Sequence, residues 1–143
     1  MNETPSKIEL TPTQIATLQQ RAASVAENSY SPYSHFRVGA AILLEDGAIV
    51  TGCNVENASY RLTTCAEQTA IASAVATYGP TIRIRAVAVA NLNGEACQPC
   101  GACRQTIAEF ASADTRIFFP NADGTTTELT MTGLLPAAFV LKQ

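Results

Sequence analysis

The sequence predicts an α/β fold, a mixed sheet with helices packed on its faces, and three observations carry that prediction. Elements follow in the order helix, hairpin, helix, strand, helix, strand, strand, with no repeat and no linker. The run 82–92, centred on Ala86-Val87-Ala88-Val89-Ala90, is unbroken and apolar, as a strand covered on both faces must be. With 143 residues, 47% of them hydrophobic, the chain suffices for one compact core and hardly for two, so 1–143 is expected to form a single domain.

The first ten residues read as frayed chain. Thr11-Pro12-Thr13-Gln14 then offers a capping box with proline at the first helical position. Ile15, Leu18, Ala22 and Val25 recur at spacings of three and four, one apolar stripe that a sheet or helix must cover, and this helix should end near 28–30. Residues 31–36 form an irregular connector. Residues 37–44 read as a strand, Glu45-Asp46-Gly47 as a turn, and 48–55 as the returning hairpin partner. Residues 65–75 form an alanine-rich helix with Ile71, Val75 and Tyr78 on one face and Gly79-Pro80 as its stop. After the central strand, Pro99 leads into a helix whose Ile107, Phe110 and Ala111 face the core. Short strands at 115–119 and 126–130 flank the turn Asn121-Ala122-Asp123-Gly124, and 134–139 closes the chain.

Composition narrows the function. The formal net charge is −3, Lys7 and Lys142 are the only lysines, and the arginines at 21, 37, 61, 83, 85, 104 and 116 are scattered. No basic stripe can neutralise a phosphate backbone, so a free small molecule is expected as substrate, not a polynucleotide. No apolar run approaches the roughly 18 residues of a membrane span, and MNETPSKIEL has neither the basic start nor the apolar core of a signal peptide. A cytoplasmic location is expected. There, the odd set Cys53, Cys65, Cys97, Cys100 and Cys103 reads as metal ligation and not as disulfides.

The chemistry concentrates in Cys65-Ala66-Glu67 and Pro99-Cys100-Gly101-Ala102-Cys103. Three thiolates and an adjacent carboxylate suit a zinc site: the thiolates bind, the carboxylate is not needed as a ligand, and the fourth tetrahedral position stays open for water, as in a catalytic centre. Cys65 and Cys100 fall in helix first turns, where the dipole lowers thiol pKa values. Three thiolates on Zn²⁺ leave a formal charge of −1, which weakens its power to acidify water, and Gln68 and Arg104 are the long donors beside the ligands that can offset it. Glu67 alone would read as a first-turn glutamate complementing the dipole; two residues from a ligand it reads as a proton carrier. Cys97, three before Cys100, leaves open a four-sulfur structural zinc or iron–sulfur module, although that would leave Cys65-Ala66-Glu67 unexplained. Cys53 and Cys97 otherwise read as small buried or loop thiols. His35, the single histidine, reads as surface or structural, which disfavours a histidine-dependent hydrolase. Asn54-Val55-Glu56-Asn57 puts three polar side chains at a strand end, either as ligand contacts or as a solvated turn.

The zinc pattern resembles that of zinc-dependent nucleobase deaminases. More widely, from about residue 30 to 139, the chain resembles the small three-cysteine, homotetrameric cytidine deaminases. Segments 32–41, 52–58, 65–67, 99–105 and 134–136 carry the likeness in the family's order. The resemblance implies a three-layer α/β/α fold with a five-stranded mixed sheet. It also implies one Zn²⁺ per subunit on Cys65, Cys100 and Cys103, with Glu67 as proton shuttle for attack of zinc-bound hydroxide on C4. Ala66 would offer backbone contact to the pyrimidine, Asn54 and Glu56 would hold the sugar 3′-hydroxyl, and Phe36 would pack against the base. Tyr60 and Phe139 resemble positions through which a neighbouring subunit completes the pocket. The implied reaction is deamination of cytidine and 2′-deoxycytidine in pyrimidine salvage. One departure stands out: three-cysteine members usually carry Arg directly after the catalytic Glu, and here the residue is Gln68, a donor without a full charge. Two other functions fit the metal pattern, a deaminase of an aminoacyl-nucleoside antibiotic such as blasticidin S and a non-catalytic structural zinc module.

Overall fold

A computed structural model describes residues 8–141. Of the ten residues expected to be frayed, 1–7 lie outside the described residues. Residues 8–10 are irregular: Glu9 O accepts from Arg85 Nη2 at 2.5 Å, and Leu10 packs against the core beneath the first helix. The elements are α1 (Pro12–Ala26), β1 (Val38–Leu44), β2 (Ile49–Cys53), a 3₁₀ turn (Tyr60–Leu62), α2 (Ala66–Tyr78), β3 (Ile84–Asn91), α3 (Gly101–Phe110), β4 (Ala111–Pro120), β5 (Thr126–Thr130) and a short α4 (Met131–Leu134). The sheet order is β2-β1-β3-β4-β5, parallel between β3 and β4 and antiparallel elsewhere, a five-stranded mixed sheet with the apolar β3 at its centre. β1 is buried along its whole length because it too lies inside the sheet with helices over both faces.

Alternation in β1 separates the two cores. Ala41 and Leu43 face α1, packing with Leu18, Ala22, Ala86, Ala88 and Phe118. Ala40, Ile42 and Leu44 face the other way, toward Ala70, Ile71 and Ala74 of α2, Ile107 of α3 and Met131 and Leu134 of α4. The capping box forms as its residues predict: Thr11 Oγ1 accepts from Gln14 N at 3.1 Å and Gln14 Oε1 accepts from Thr11 N at 2.8 Å. α1 ends at Ala26, short of 28–30. In α2 the buried face is Ala66, Glu67, Ala70, Ile71 and Ala74, while Tyr78 is half exposed. Small side chains are needed there because α2 approaches the sheet closely; a Cβ on Gly52 of β2 would lie 2.4 Å from Ala70 N. This contact sets the height of α2, and with it Cys65 and Glu67, above the sheet. β2 and β3 both run antiparallel to β1, so the ends of β2 and β3 and the start of β1 share one edge of the sheet. The N-termini of α2 and α3 are reached from that edge, the carboxyl end where α/β sheets place their sites.

Candidate active site

Two helix ends deliver the thiols. Cys65 is the N-cap of α2 and Cys100 the N-cap of α3, each in extended backbone (φ −71°, ψ 156° and φ −68°, ψ 169°), and neither side chain caps its own helix. Both thus sit one position ahead of the first turn in which the spacing places them. Cys103 is the third residue of α3, within its first turn, and is 1% exposed. The three Sγ atoms lie within 4.8 Å of one another, and among the described residues no other group of three or more Cys, His, Asp or Glu side chains converges so. Zn–S bonds of about 2.3 Å in a tetrahedron space sulfurs roughly 3.8 Å apart, so side-chain shifts of about half an ångström close this cluster on zinc. A soft, three-sulfur donor set with a partly exposed side fits Zn²⁺ with one position left over.

Electrostatics favour metal entry. Cys65 is held at about 7, below the ordinary thiol range, chiefly because the Cys103 thiol donates to it and secondarily because Cys100 does; burial and the Glu67 charge oppose this. Cys103 is pushed up, since its proton is held against the Cys65 sulfur and its surroundings are dry. The cluster thus lies at the positive ends of two helix dipoles with Cys65 the readiest of its sulfurs to ionise, and metal binding displaces the protons that its ligands carry. Metal affinity accordingly rises with pH. Cys97 lies outside the cluster: burial first, then the charges of Glu67 and Cys65, push its thiol up to about 12, so it remains neutral. The C-x-x-C-x-x-C reading therefore does not describe the group that forms.

Glu67, 4% exposed, stands in the first turn of α2. Burial raises its pKa, with its own amide and the Cys103 thiol opposing, which moves the carboxyl toward the range in which it can both take and give a proton. Gln68 turns to the sulfurs, its Nε2 lying 3.8 Å from Cys103 Sγ. Arg104 does other work: its Nε donates to Pro99 O at 2.8 Å and its Nη1 to Leu134 O at 2.9 Å, bracing the segment that carries Cys100 against the end of α4.

Asn54 and Glu56, just after β2, bond to the loop before β1 that carries Phe36. Asn54 Oδ1 accepts from Ser29 Oγ at 2.5 Å and from Val38 N at 3.0 Å, while its Nδ2 donates to Phe36 O at 2.8 Å. Glu56 Oε1 accepts from Tyr33 N at 3.0 Å and Ser34 N at 3.2 Å, and Oε2 from the Ser34 hydroxyl, which chiefly holds this half-buried carboxyl below its usual range. Ser34 Oγ in turn accepts from Phe36 N at 3.0 Å. Both residues proposed for the sugar thus also hold the backbone of Phe36. Phe36 and Cys97 pack on the core cluster that contains Ala66, which is 1% exposed. Tyr60 and Phe139 stand apart, 77% and 70% exposed; Tyr60 meets only the edge of Tyr33 at 6.4 Å among the described ring pairs. Sequence reasoning did not find Ser29, Ser34 or Asn93. They are short polar residues in connectors, and their importance comes from partners up to 58 positions away.

The family model for the cytidine and deoxycytidylate deaminase zinc-binding region matches residues 12–119. The cytidine deaminase of Halalkalibacterium halodurans is 46% identical over 123 residues, 85% of this chain and 91% of that protein. The crystal structure of cytidine deaminase from Burkholderia pseudomallei superposes with a TM-score of 0.79 at 40% identity, covering 91% of this chain and 100% of that one. That from Mycobacterium tuberculosis gives 0.77 at 40%, covering 89% and 98%. Thiol cluster, sheet order and sequence likeness all point to one group, and the chain belongs to the family of zinc-dependent cytidine and deoxycytidylate deaminases.

Proposed function

We propose that this protein hydrolyses cytidine and 2′-deoxycytidine to uridine and 2′-deoxyuridine with release of ammonia, in pyrimidine salvage in the cytoplasm. The observation that carries the reading is the juxtaposition of three thiols with the buried carboxyl of Glu67. Zinc, when bound by Cys65, Cys100 and Cys103, supplies the Lewis acidity that makes a water molecule nucleophilic at neutral pH. Glu67 takes a proton from the attacking water, delivers it to the ring nitrogen N3, and later passes a proton to the departing amine. One carboxyl serves all three transfers, and burial, by raising the Glu67 pKa above the ordinary carboxylate range, favours its holding a proton between them. Ala66 meets the pyrimidine through its backbone, Phe36 packs against the base, and the second N–H of the Asn54 amide and the Glu56 carboxylate take the 3′-hydroxyl. Gln68 donates to a ligand sulfur without adding charge. Among the described residues no helix is long and apolar enough to cross a membrane.

A homotetramer with shared sites accompanies this reading. Tyr60 and Phe139 are large rings in water on the single chain, and burial against a neighbour would stabilise them. The test is loss of cytidine absorbance by purified protein, with zinc quantified in the same sample. Turnover of cytidine with one zinc per chain supports the proposal. Zinc without turnover would instead support a structural module, and turnover confined to an aminoacyl-nucleoside antibiotic a related deaminase.

A further inference from the structure

Phe36 is bracketed by side chains that do not belong to its own loop. On one side stand Asn54 and, through Ser34, Glu56. On the other stands Asn93, in the connection between β3 and α3. Its Nδ2 donates to His35 O at 2.9 Å and its Oδ1 accepts from Arg37 N at 3.0 Å, so one amide spans the residues before and after Phe36. Leu92 N adds a bond to Arg37 O at 3.0 Å. His35 takes a φ of +58°, a left-handed conformation that L-residues with a Cβ adopt at a cost and keep only when neighbouring bonds hold it. Asn93 is itself aimed by Asn91, whose Oδ1 accepts from Asn93 N at 2.9 Å and Glu95 N at 3.2 Å and whose Nδ2 donates to Glu95 O at 2.7 Å. The same connection continues to Pro99 and the ligand Cys100. It therefore meets the base-packing loop at one end and the metal cluster at the other.

We infer that Asn93 is a positioning residue for the pyrimidine: its amide clamps His35 and Arg37 and so holds Phe36 at a fixed height relative to the segment that carries Cys100. The inference rests on the reading that Phe36 packs against the base. It acts on substrate binding more than on proton transfer, because Asn93 touches neither the sulfurs nor Glu67 in any described hydrogen bond.

The test compares Asn93→Ala, Asn93→Asp and Phe36→Ala as zinc-loaded full chains. Aspartate keeps the acceptor for Arg37 N but sets a carboxylate against His35 O, so both Asn93 variants should raise KM for cytidine about tenfold while kcat stays within about threefold of wild type. Zinc should remain at one per chain, and hydrogen exchange at the Arg37 amide should accelerate in Asn93→Ala. Phe36→Ala should also raise KM. Wild-type KM in both Asn93 variants, with KM raised in Phe36→Ala, overturns the clamp and leaves the base-packing reading standing. Unchanged KM in Phe36→Ala overturns that reading and the clamp with it. A fall in kcat and zinc content at constant KM also overturns the clamp, since Asn93 would then only support the fold.

Discussion

Cys65, Cys100 and Cys103 are set by the ends of two helices packed on a sheet, whereas Phe36, Asn54 and Glu56 are set by hydrogen bonds between connectors far apart in sequence. The metal half inherits its geometry from regular elements. Once Gly52 lets α2 settle against β2 and the sheet fixes α3, the two caps have little freedom left. The substrate half has no such scaffold: its shape is a small network in which Asn54 and Glu56 serve both the loop and the proposed ligand. Substitutions should therefore act in an all-or-none way on the first half and in a graded way on the second.

Removing the most buried thiol is the severest test of that contrast. Cys103→Ala should lower metal affinity by more than about 100-fold and abolish turnover, measured by zinc content after dialysis and by cytidine absorbance. Glu67→Gln should separate chemistry from assembly, cutting kcat by about 10²–10⁴ while zinc stays bound. In the other half, Asn54→Ala deletes hydrogen bonds to Ser29, Val38 and Phe36. At about 1 kcal/mol each it should destabilise the protein by roughly 2–3 kcal/mol in denaturant titration and raise KM, with zinc retained. Zinc loss in that variant would show the halves to be one unit. The smallest effect should come from Gln68→Arg. A positive charge beside the sulfurs favours deprotonation of the attacking water, so the acid limb of kcat/KM should move to lower pH, by about half to one unit. An unmoved limb would mean that charge at this position does not tune the site.

What the sequence reveals follows the same division. The capping box at Thr11, the turn at Glu45-Asp46-Gly47, the central strand and the Cys100–Cys103 spacing all rest on short-range patterns, and each is found in place, whereas Cys65 meets that pair only because the fold brings the starts of α2 and α3 together. The face of α2 is harder to read, because alanine packs closely without marking a strong apolar stripe, and Ala70 and Ala74 are buried where Tyr78 is half exposed. The orientation of Arg104 toward Pro99 O and Leu134 O, and the roles of Ser29, Ser34 and Asn93, depend on partners that only the fold brings near. Spacing reaches across one helix turn; it does not reach across a sheet.

The central claim is that three sulfurs, and not four, hold the metal, leaving one position for the water that Glu67 serves. X-ray absorption at the zinc edge of the loaded protein tests it most directly. The account predicts three sulfur neighbours at about 2.3 Å and one oxygen or nitrogen neighbour at about 2.0 Å. A fourth sulfur, which Cys97 would have to supply, would close the metal to water and contradict a catalytic site.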